Sequence, residues 1–360
     1  MHVGMSLTFQ NLGNELPDGD VYAGEVRLAG LAEPLGFESL WATEHHFTDY
    51  TLCPDPTQFL TYMAGRTERI ELGTMVIVLP WHNPVRVAES VAVLDQLCGG
   101  RFTLGIGRGL GRVEFEGLGV PMDTSRERFT EAAELILRGL EQGYVEYDGE
   151  IFQQPRRDLR PAPTGSFKGR TYAAAVSPES MRIMAELGVG ILIVPQKPWK
   201  AVEADLDAYR GIFREVNGAE PPQTTVAAWV FCDPDEDRAR ELARRYIGRY
   251  YESVLTHYEL NGRQFDGQRG YEYYAKMADR ISSVGEESAV DFFVDLHVHG
   301  TPEQCHEKIV AIQRRVDADR FVGVFGYGGM PYDEAERNLR LFASDVMPAV
   351  QALDVAPARV

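Results

Sequence analysis

Short apolar runs alternate with longer stretches of helical periodicity along most of the chain. Between the runs, apolar side chains recur every three or four positions, for example over Pro84–Leu97 and over residues 125–140. Strands that alternate with helices indicate repeated βα units and therefore a parallel sheet. The eight runs that predict strands are residues 2–8, 39–43, 70–79, 102–106, 171–176, 190–194, 225–231 and 320–325.

Eight strands with intervening helices predict an α/β fold of the (β/α)8 TIM-barrel type, rather than an open doubly wound sheet. The open sheet usually carries a glycine-rich first turn, and the turn FQNLGNELPDG at residues 9–19 lacks that pattern. A plain barrel needs about 250 residues, so roughly a hundred remain for insertions. We expect a single domain over residues 1–360, with insertions near 143–170 and 260–300.

The charge balance argues against some classes of binding partner, and the amino terminus bears on where in the cell the protein is expected. Because 54 acidic residues outnumber 36 basic ones, the net charge of −18 repels nucleic acid and anionic membranes. The start MHVGMSLTFQ has no signal-peptide pattern, and no apolar window is long enough to span a bilayer, so we expect a cytoplasmic protein. The four cysteines are far apart and predict reduced thiols rather than a zinc site or a disulfide framework.

The candidate functional residues lie where the predicted strands end, because the active sites of TIM barrels form at the carboxyl ends of the strands. The second strand runs into Glu44, His45 and His46, which suit acid–base work, anion binding, metal ligation or plain hydrogen bonding to loop carbonyls. The fourth strand ends in alternating glycines around Arg108. That pattern fits a phosphate or carboxylate site, or a glycine turn with a surface arginine.

A helix start follows the fifth predicted strand. Ser177 is a good N-cap and Pro178 suits the first helical position, so the sequence Ser-Pro-Glu-Ser predicts a helix that begins here. The free amides of such a start bind phosphate, although capping alone also explains the pattern.

A metal site is not predicted. The segment DLHVH at residues 295–299 offers Asp295, His297 and His299 on one face if it is extended. No fourth ligand is evident, and the segment lies within the expected insertion.

Taken together, the strand-end segments resemble the bacterial luciferase family, most closely the luciferase α chain and related flavin-dependent monooxygenases. The resemblance runs from the amino terminus through Arg128, resumes over residues 174–186, and returns at 269–273 and 300–305. The segments that carry it are GFESLW (36–41), EHHFT (44–48), LGT (72–74), NPVR (83–86), DQ (95–96), GRF (100–102) and RGL (108–110).

This resemblance implies a two-component monooxygenase, which receives reduced FMN from a separate flavin reductase. With O2 the flavin forms a C4a-peroxyflavin, and a small organic substrate is oxygenated. Two alternatives remain open: a hydride-transferring oxidoreductase that uses a deazaflavin, and a non-catalytic flavin-binding subunit. A homodimer is also implied, with an interface around Pro84–Leu97.

The resemblance further assigns roles to individual residues. Met75 and Val76 match a pair joined by a cis peptide against the flavin ring, and Ile183 replaces a threonine of the phosphate site. The family's mobile loop falls at about 279–298 and is acidic here rather than lysine-bearing. The implied catalytic residues are His45 and His46; the implied cofactor-binding residues are Met75, Val76, Arg108, Leu110, Ser177, Glu179 and Ser180; the substrate or lid candidates are Trp81, Glu114 and Tyr273.

Overall fold

A computed structural model of the chain describes residues 1–175 and 177–355. Parallel strands close into a barrel with the neighbour order β1-β2-β3-β5-β8-β9-β10-β12, and β12 pairs with β1 again. The strands are β1 (His2–Leu7), β2 (Ser39–Ala42), β3 (Glu71–Thr74), β4 (Ile77–Val78), β5 (Phe102–Gly107), β6 (Tyr144–Asp148), β7 (Gln153–Asp158), β8 (Thr171–Ala174), β9 (Gly190–Ile193), β10 (Thr224–Cys232), β11 (Val298–Gly300) and β12 (Ala318–Val324). The predicted TIM-barrel fold is therefore confirmed.

Helices connect successive strands and cover the outside of the barrel. They are α1 (Asp18–Leu35), α2 (Pro56–Ala64), α3 (Pro84–Leu97), α4 (Arg112–Gly117), α5 (Ser125–Gln142), α6 (Pro178–Leu187), α7 (Trp199–Asn217), α8 (Glu236–His257), α9 (Glu272–Val284), α10 (Glu286–Leu296), α11 (Pro302–Val316), α12 (Tyr332–Asp345) and α13 (Met347–Gln351). Several begin at a capping side chain followed by proline, as α3 does at Asn83 and α6 at Ser177.

One predicted strand, residues 70–79, is divided in the structure. β3 pairs with β5 through Leu72 and Gly73, whereas the short β4 pairs with the far end of β5. Between them lies the peptide bond of Met75 and Val76, which is cis. The predicted strand 171–176 corresponds to β8, and its last residue, Val176, lies outside the described residues.

The two expected insertions have different structures. Residues 143–170 contain β6 and β7, which form an antiparallel hairpin apart from the barrel sheet. The stretch 260–300 is largely helical, because α9 and α10 occupy most of it and β11 adds only three residues to the edge of β10. The segment 295–299 is not a single extended strand, so it does not have the geometry on which the metal interpretation depended.

A layer of buried side chains of mixed size fills the interior of the barrel. Trp41, Tyr172, Leu192, Ala227 and Val322 project from five different strands and pack together, almost completely buried. Gly73 is required beside them, since a Cβ at that position would overlap the Trp41 ring. Leu192 and Ala227 also line the cavity described below, so this packed layer forms its floor.

Candidate functional site

A cavity lies at the carboxyl ends of the strands, where the sequence analysis predicts the functional residues. Residues in or just after all eight barrel strands line it, together with residues of α4, α5, α6, α8, α9 and α10. Its acidic and basic lining residues are Glu44, His45, Arg108, Glu114 and Arg126, which follow β2 and β5 along the chain. Among the residues that the structure describes, the wall formed by β10 and the later helices has uncharged side chains: Ala227, Trp229, Tyr250, Val254, Tyr258, Tyr274 and Phe293.

The side chain of Glu114 is fully buried and connects three segments. Its Oε1 lies 2.9 Å from His45 Nδ1 and accepts the backbone amide of His46 at 2.9 Å. Its Oε2 lies 3.4 Å from Nε2 of His257, whose Nδ1 is 3.0 Å from the Thr48 hydroxyl. Burial raises the pKa of Glu114, but the neighbouring His45 and His257 outweigh burial and hold it at about 2. Glu114 is therefore a carboxylate that orients His45.

A second buried carboxylate, Glu44, organises the other histidine. Its Oε1 lies 3.1 Å from His46 Nε2 and 2.6 Å from His82 Nε2, and its Oε2 accepts the backbone amide of Val78 at 2.8 Å. The pKa of His82 is raised, because the Glu44 hydrogen bond and charge outweigh the opposing effect of burial. His46 is thus engaged by Glu44, whereas His45 borders the cavity.

Three buried tyrosines form a cluster beside His45. The Tyr258 hydroxyl lies 3.4 Å from His45 Nε2, and the Tyr50 and Tyr250 hydroxyls are 2.6 Å apart. Burial raises the pKa of all three phenols well above the ordinary value, so they are neutral hydroxyls at physiological pH.

Two arginines form the cationic end of the cavity. Arg108 donates through Nη1 to the carbonyl oxygen of Gly270 at 2.7 Å, and Arg126 donates to the same oxygen at 3.3 Å. Arg126 also pairs with Glu179 at 2.5 Å. Ser180 lines the cavity in the first turn of α6, where its amide donates to the capping Ser177 hydroxyl at 3.2 Å. Two guanidinium groups beside a helix start favour an anionic group such as a phosphate.

The glycines of the β5 end allow close packing at this point. A Cβ on Gly107 would overlap Cγ2 of Val76, and a Cβ on Gly109 would lie 2.7 Å from Cγ1 of Val78. Gly109 also has a φ of +82°, which disfavours side chains with a Cβ. The backbone around Arg108 can therefore lie directly against the cis-peptide segment.

The structure brings together most of the residues that the sequence singles out. The predicted site residues that line the cavity are His45, Met75, Val76, Trp81, Arg108, Leu110, Glu114 and Ser180. Ile183, which replaces a threonine of the family's phosphate site, also lines it. Those outside its lining are His46, Ser177, Glu179 and Tyr273. Tyr273 instead packs beside Lys197 and Tyr274.

Several lining or supporting residues were missed by sequence reasoning. They are Arg126, Trp229, His257, Tyr258, Tyr274 and Phe293. Arg126 carried a weak local signal, because it lies in the first turn of a predicted helix close to the conspicuous Arg108 loop. The others come from late segments whose sequence shows only ordinary helical or strand patterns.

Unpaired polar atoms in the cavity wall indicate what kind of ligand fits. Thr43 Oγ1, Trp81 Nε1 and Trp229 Nε1 are buried without a hydrogen-bond partner among the described residues, and all three residues line the cavity. Buried polar groups are normally satisfied, so these atoms suit a ligand with a polar edge. A flat heteroaromatic ring with an anionic tail fits this set of donors, the apolar walls and the arginine pair together.

The cluster of His45, Glu114 and His257 also has a spacing that a metal ion accepts, since one ligand atom from each lies within 4.8 Å of the others. The direct hydrogen bond of His45 to Glu114 accounts for that spacing without an ion. Throughout the described residues, each helix is too short or too polar to cross a membrane.

Comparison with known proteins agrees with this geometry. The model of a family described as luciferase-like monooxygenase matches residues 1–319. The alkanal monooxygenase alpha chain of Photorhabdus luminescens is 29% identical over 330 residues, which cover 90% of each chain.

Several solved structures share this fold. The monooxygenase RslO1 of Streptomyces bottropensis is 25% identical, with a TM-score of 0.81 over 97% of this chain and 100% of that chain. The oxygenating constituent of 3,6-diketocamphane monooxygenase of Pseudomonas putida, in complex with FMN, is 19% identical, with a TM-score of 0.76 over 97% and 98%. An F420-dependent secondary alcohol dehydrogenase is 17% identical, with a TM-score of 0.72 over 97% and 98%. The last two likenesses show a shared fold alone.

Proposed function

Because the chain belongs to the luciferase-like monooxygenase family, we propose that it is a flavin-dependent monooxygenase that uses reduced FMN and O2 to oxygenate a small organic substrate. A separate flavin reductase would supply the reduced FMN. The observation that carries this proposal is the convergence of His45 with the Arg108 and Arg126 pair on one cavity.

The proposed cofactor site follows from the lining residues. Arg108, Arg126 and Ser180 would hold the phosphate, because they combine two cations with a hydroxyl at a helix start. Met75, Val76 and Leu110 would border the ring, and Ser177 and Glu179 would act through their contacts with Ser180 and Arg126. Bound FMN in its reduced form would supply the electrons for oxygen activation.

The chain's own task is to position groups and to exclude water. The floor of packed barrel side chains and the aromatic wall close the cavity toward the protein interior. His45, oriented by Glu114, is the group placed to move a proton at Nε2, the ring nitrogen that Glu114 leaves free. His46 would support the site through Glu44 rather than contact the reactants.

We assign the organic substrate to the uncharged side of the cavity. Trp229, Tyr274 and Phe293 offer apolar surface there, and Trp229 Nε1 is a donor without a partner among the described residues. An uncharged substrate with an apolar body and a single hydrogen-bond acceptor matches this wall, since a buried charge would have no counter-ion on it.

The test supplies reduced FMN enzymatically from a flavin reductase and NADH, and measures oxygenated product and hydrogen peroxide over a panel of uncharged substrates. We expect the protein to convert part of the reduced FMN into product. His45→Ala should lower product formation by about 10² to 10⁴ and raise the fraction lost as hydrogen peroxide. His306→Ala, on α11 outside the cavity lining, is the matched control.

Other results would replace this proposal. Unchanged coupling in His45→Ala would remove that residue from the reaction. Turnover of a reduced substrate with oxidised deazaflavin, and none with reduced FMN and O2, would assign hydride transfer instead. Tight FMN binding without turnover in either assay would indicate a non-catalytic flavin-binding subunit.

A further inference from the structure

The two ring nitrogens of His45 have different partners. Nδ1 lies 2.9 Å from Glu114 Oε1, and Nε2 lies 3.4 Å from the Tyr258 hydroxyl. These partners come from α4 and from the residue that follows α8, so tertiary packing alone brings them to opposite edges of one ring.

Glu114 determines which ring nitrogen of His45 carries the proton. An ionised carboxylate only accepts hydrogen bonds, so the 2.9 Å contact requires a proton on His45 Nδ1. The same oxygen accepts the His46 amide, which keeps the carboxylate in place. On the far side of Glu114, burial lowers the pKa of His257, whose Nε2 lies 3.4 Å from Glu114 Oε2 and whose Nδ1 lies 3.0 Å from the Thr48 hydroxyl.

Tyr258 completes the arrangement at the other nitrogen. Its phenol is neutral and can donate one hydrogen bond, and a neutral imidazole with its proton on Nδ1 has an acceptor lone pair on Nε2. The Tyr258 ring packs edge-on against the Tyr50 ring with 5.6 Å between centroids, and the Tyr50 hydroxyl lies 2.6 Å from that of Tyr250. These buried rings hold the Tyr258 hydroxyl beside His45 Nε2, where its proton can be donated.

We propose that Tyr258 is a positioning residue for His45, and that Glu114 and Tyr258 together hold His45 in a single tautomer, with the proton on Nδ1 and the lone pair of Nε2 directed at the Tyr258 hydroxyl in the cavity wall. His257 and Thr48 serve the same end by fixing Glu114. The tautomer is a property of the folded chain itself. Its consequence rests on the function proposed above: His45 would enter the reaction as a proton acceptor.

This arrangement is distinctive because free histidine favours the opposite tautomer, with the proton on Nε2. The hydrogen bond that one ring nitrogen makes decides the protonation of the other. A structural histidine without a fixed acceptor at Nδ1 would keep the solution preference, so the tautomer of His45 separates the two roles.

The experiment is nitrogen NMR of the full-length protein labelled with ¹⁵N-histidine, near neutral pH and without flavin or substrate. Loss of signals in His45→Asn assigns the residue. We expect a protonated Nδ1 and an unprotonated Nε2 in the wild type. Tyr258→Phe should keep the tautomer and displace the Nε2 resonance, because the donor to that nitrogen is lost. Glu114→Gln should increase the share of the Nε2-protonated form.

A control on the same helix distinguishes contact from general perturbation. Tyr251→Phe removes a buried hydroxyl from α8, but Tyr251 stacks on Phe293 and is not part of the cavity lining. This variant should leave both His45 resonances in place. Where Glu114→Gln does not fold, the wild-type tautomer and the Tyr258→Phe displacement still decide the matter.

Three results would overturn the inference: a proton on Nε2 of wild-type His45, protons on both nitrogens, or an Nε2 resonance that Tyr258→Phe leaves unmoved. Because none of these readouts requires turnover, they remain separate from a failure of the monooxygenase assay. When a substrate is found, Tyr258→Phe should lower kcat more than it changes KM, since it removes the donor to His45 Nε2 and keeps the ring that forms part of the cavity wall.

Discussion

The guanidinium carbon of Arg108 lies 4.1 Å from the centre of the Tyr271 ring, although the two residues come from opposite halves of the chain. The Tyr271 hydroxyl is anchored in turn, because it donates to the carbonyl oxygen of Gly109 at 3.1 Å and lies 2.9 Å from Ser125 Oγ. The segment before α9 therefore holds the arginine of the β5 loop in place. A cation that is already positioned loses less side-chain freedom when an anion binds.

Replacing Arg108 should weaken the binding of FMN much more than the binding of riboflavin. Riboflavin carries the same ring without the phosphate, so it does not use the charge of Arg108. We expect Arg108→Ala to raise the Kd for FMN about 10- to 100-fold, as for loss of a hydrogen bond to a charged group. Quenching of flavin fluorescence measures both ligands.

The control for this variant is Arg112→Ala. Arg112 lies on α4 and pairs with Glu116 and Glu259 at the surface, outside the cavity lining. An equal loss of FMN and riboflavin affinity in Arg108→Ala would mean that the arginine supports the loop rather than the phosphate.

Gly107→Ala should destabilise the protein by about 1 to 3 kcal/mol, because the added methyl group would overlap the Val76 side chain. The β-branched Val76 has little rotamer freedom with which to avoid it. The measurement is urea unfolding followed by circular dichroism. Gly211→Ala, at an open and exposed position of α7, should instead stabilise by about 0.4 to 1 kcal/mol. Equal effects at both positions would show that the β5 end tolerates a Cβ.

Glu114 should make stability depend on pH in the acid range. Its folded-state pKa of about 2 lies below the ordinary 4.5, so its contribution is present above pH 4.5 and is lost as the pH falls toward 2. The wild type should therefore exceed Glu114→Gln in unfolding free energy by up to roughly 3 kcal/mol at pH 6, and the difference should shrink between pH 4.5 and 2. Glu116→Gln, on the exposed side of α4, is the matched control. A difference that is constant with pH would contradict this assignment.

Glu25 should make the stability of the protein fall, rather than rise, as the pH increases. It is fully buried in α1, and burial raises its pKa to about 8, although hydrogen bonds from Tyr332 and the backbone partly oppose this. The folded state therefore keeps a proton that the unfolded chain releases, and stability falls as the pH rises from 4.5 to 8.

Glu25→Gln removes that titration, so its stability relative to the wild type should increase by roughly 3 to 5 kcal/mol between pH 5 and pH 8.5. Urea midpoints at the two pH values measure the change. The exposed Glu15→Gln provides the comparison for loss of a surface carboxylate. An unchanged relative stability would show that Glu25 is already ionised in the folded protein.

Much of the fold could be predicted because the signals are local. Pro84–Leu97 is helical with the predicted bounds, since Asn83 caps it, Pro84 suits its first position and its apolar residues share one face. The strand pattern likewise predicted the barrel, and the carboxyl-end rule directed attention to His45, Arg108 and the start of α6. Predicted strand ends were less accurate, as at residues 70–79, because one apolar run covers both β3 and β4.

The partners of those residues could not be predicted in the same way. His257 and Tyr258 lie at the end of a long helix whose sequence pattern reports only that it is helical and half-buried. The sequence makes Tyr273 a substrate or lid candidate, yet Tyr271 packs on Arg108 and Tyr274 lines the cavity, because helix phase decides which neighbouring ring faces inward.

The sequence alone therefore determined the barrel, the family and the strand ends that carry its chemistry, because side-chain periodicity and capping depend on neighbours a few positions away. Only the tertiary structure decided that Glu114, His257 and Tyr258 surround His45, and that Arg126 joins Arg108. Those contacts join segments far apart in the chain, and they exist only where the packing of closed strands and covering helices sets their distance.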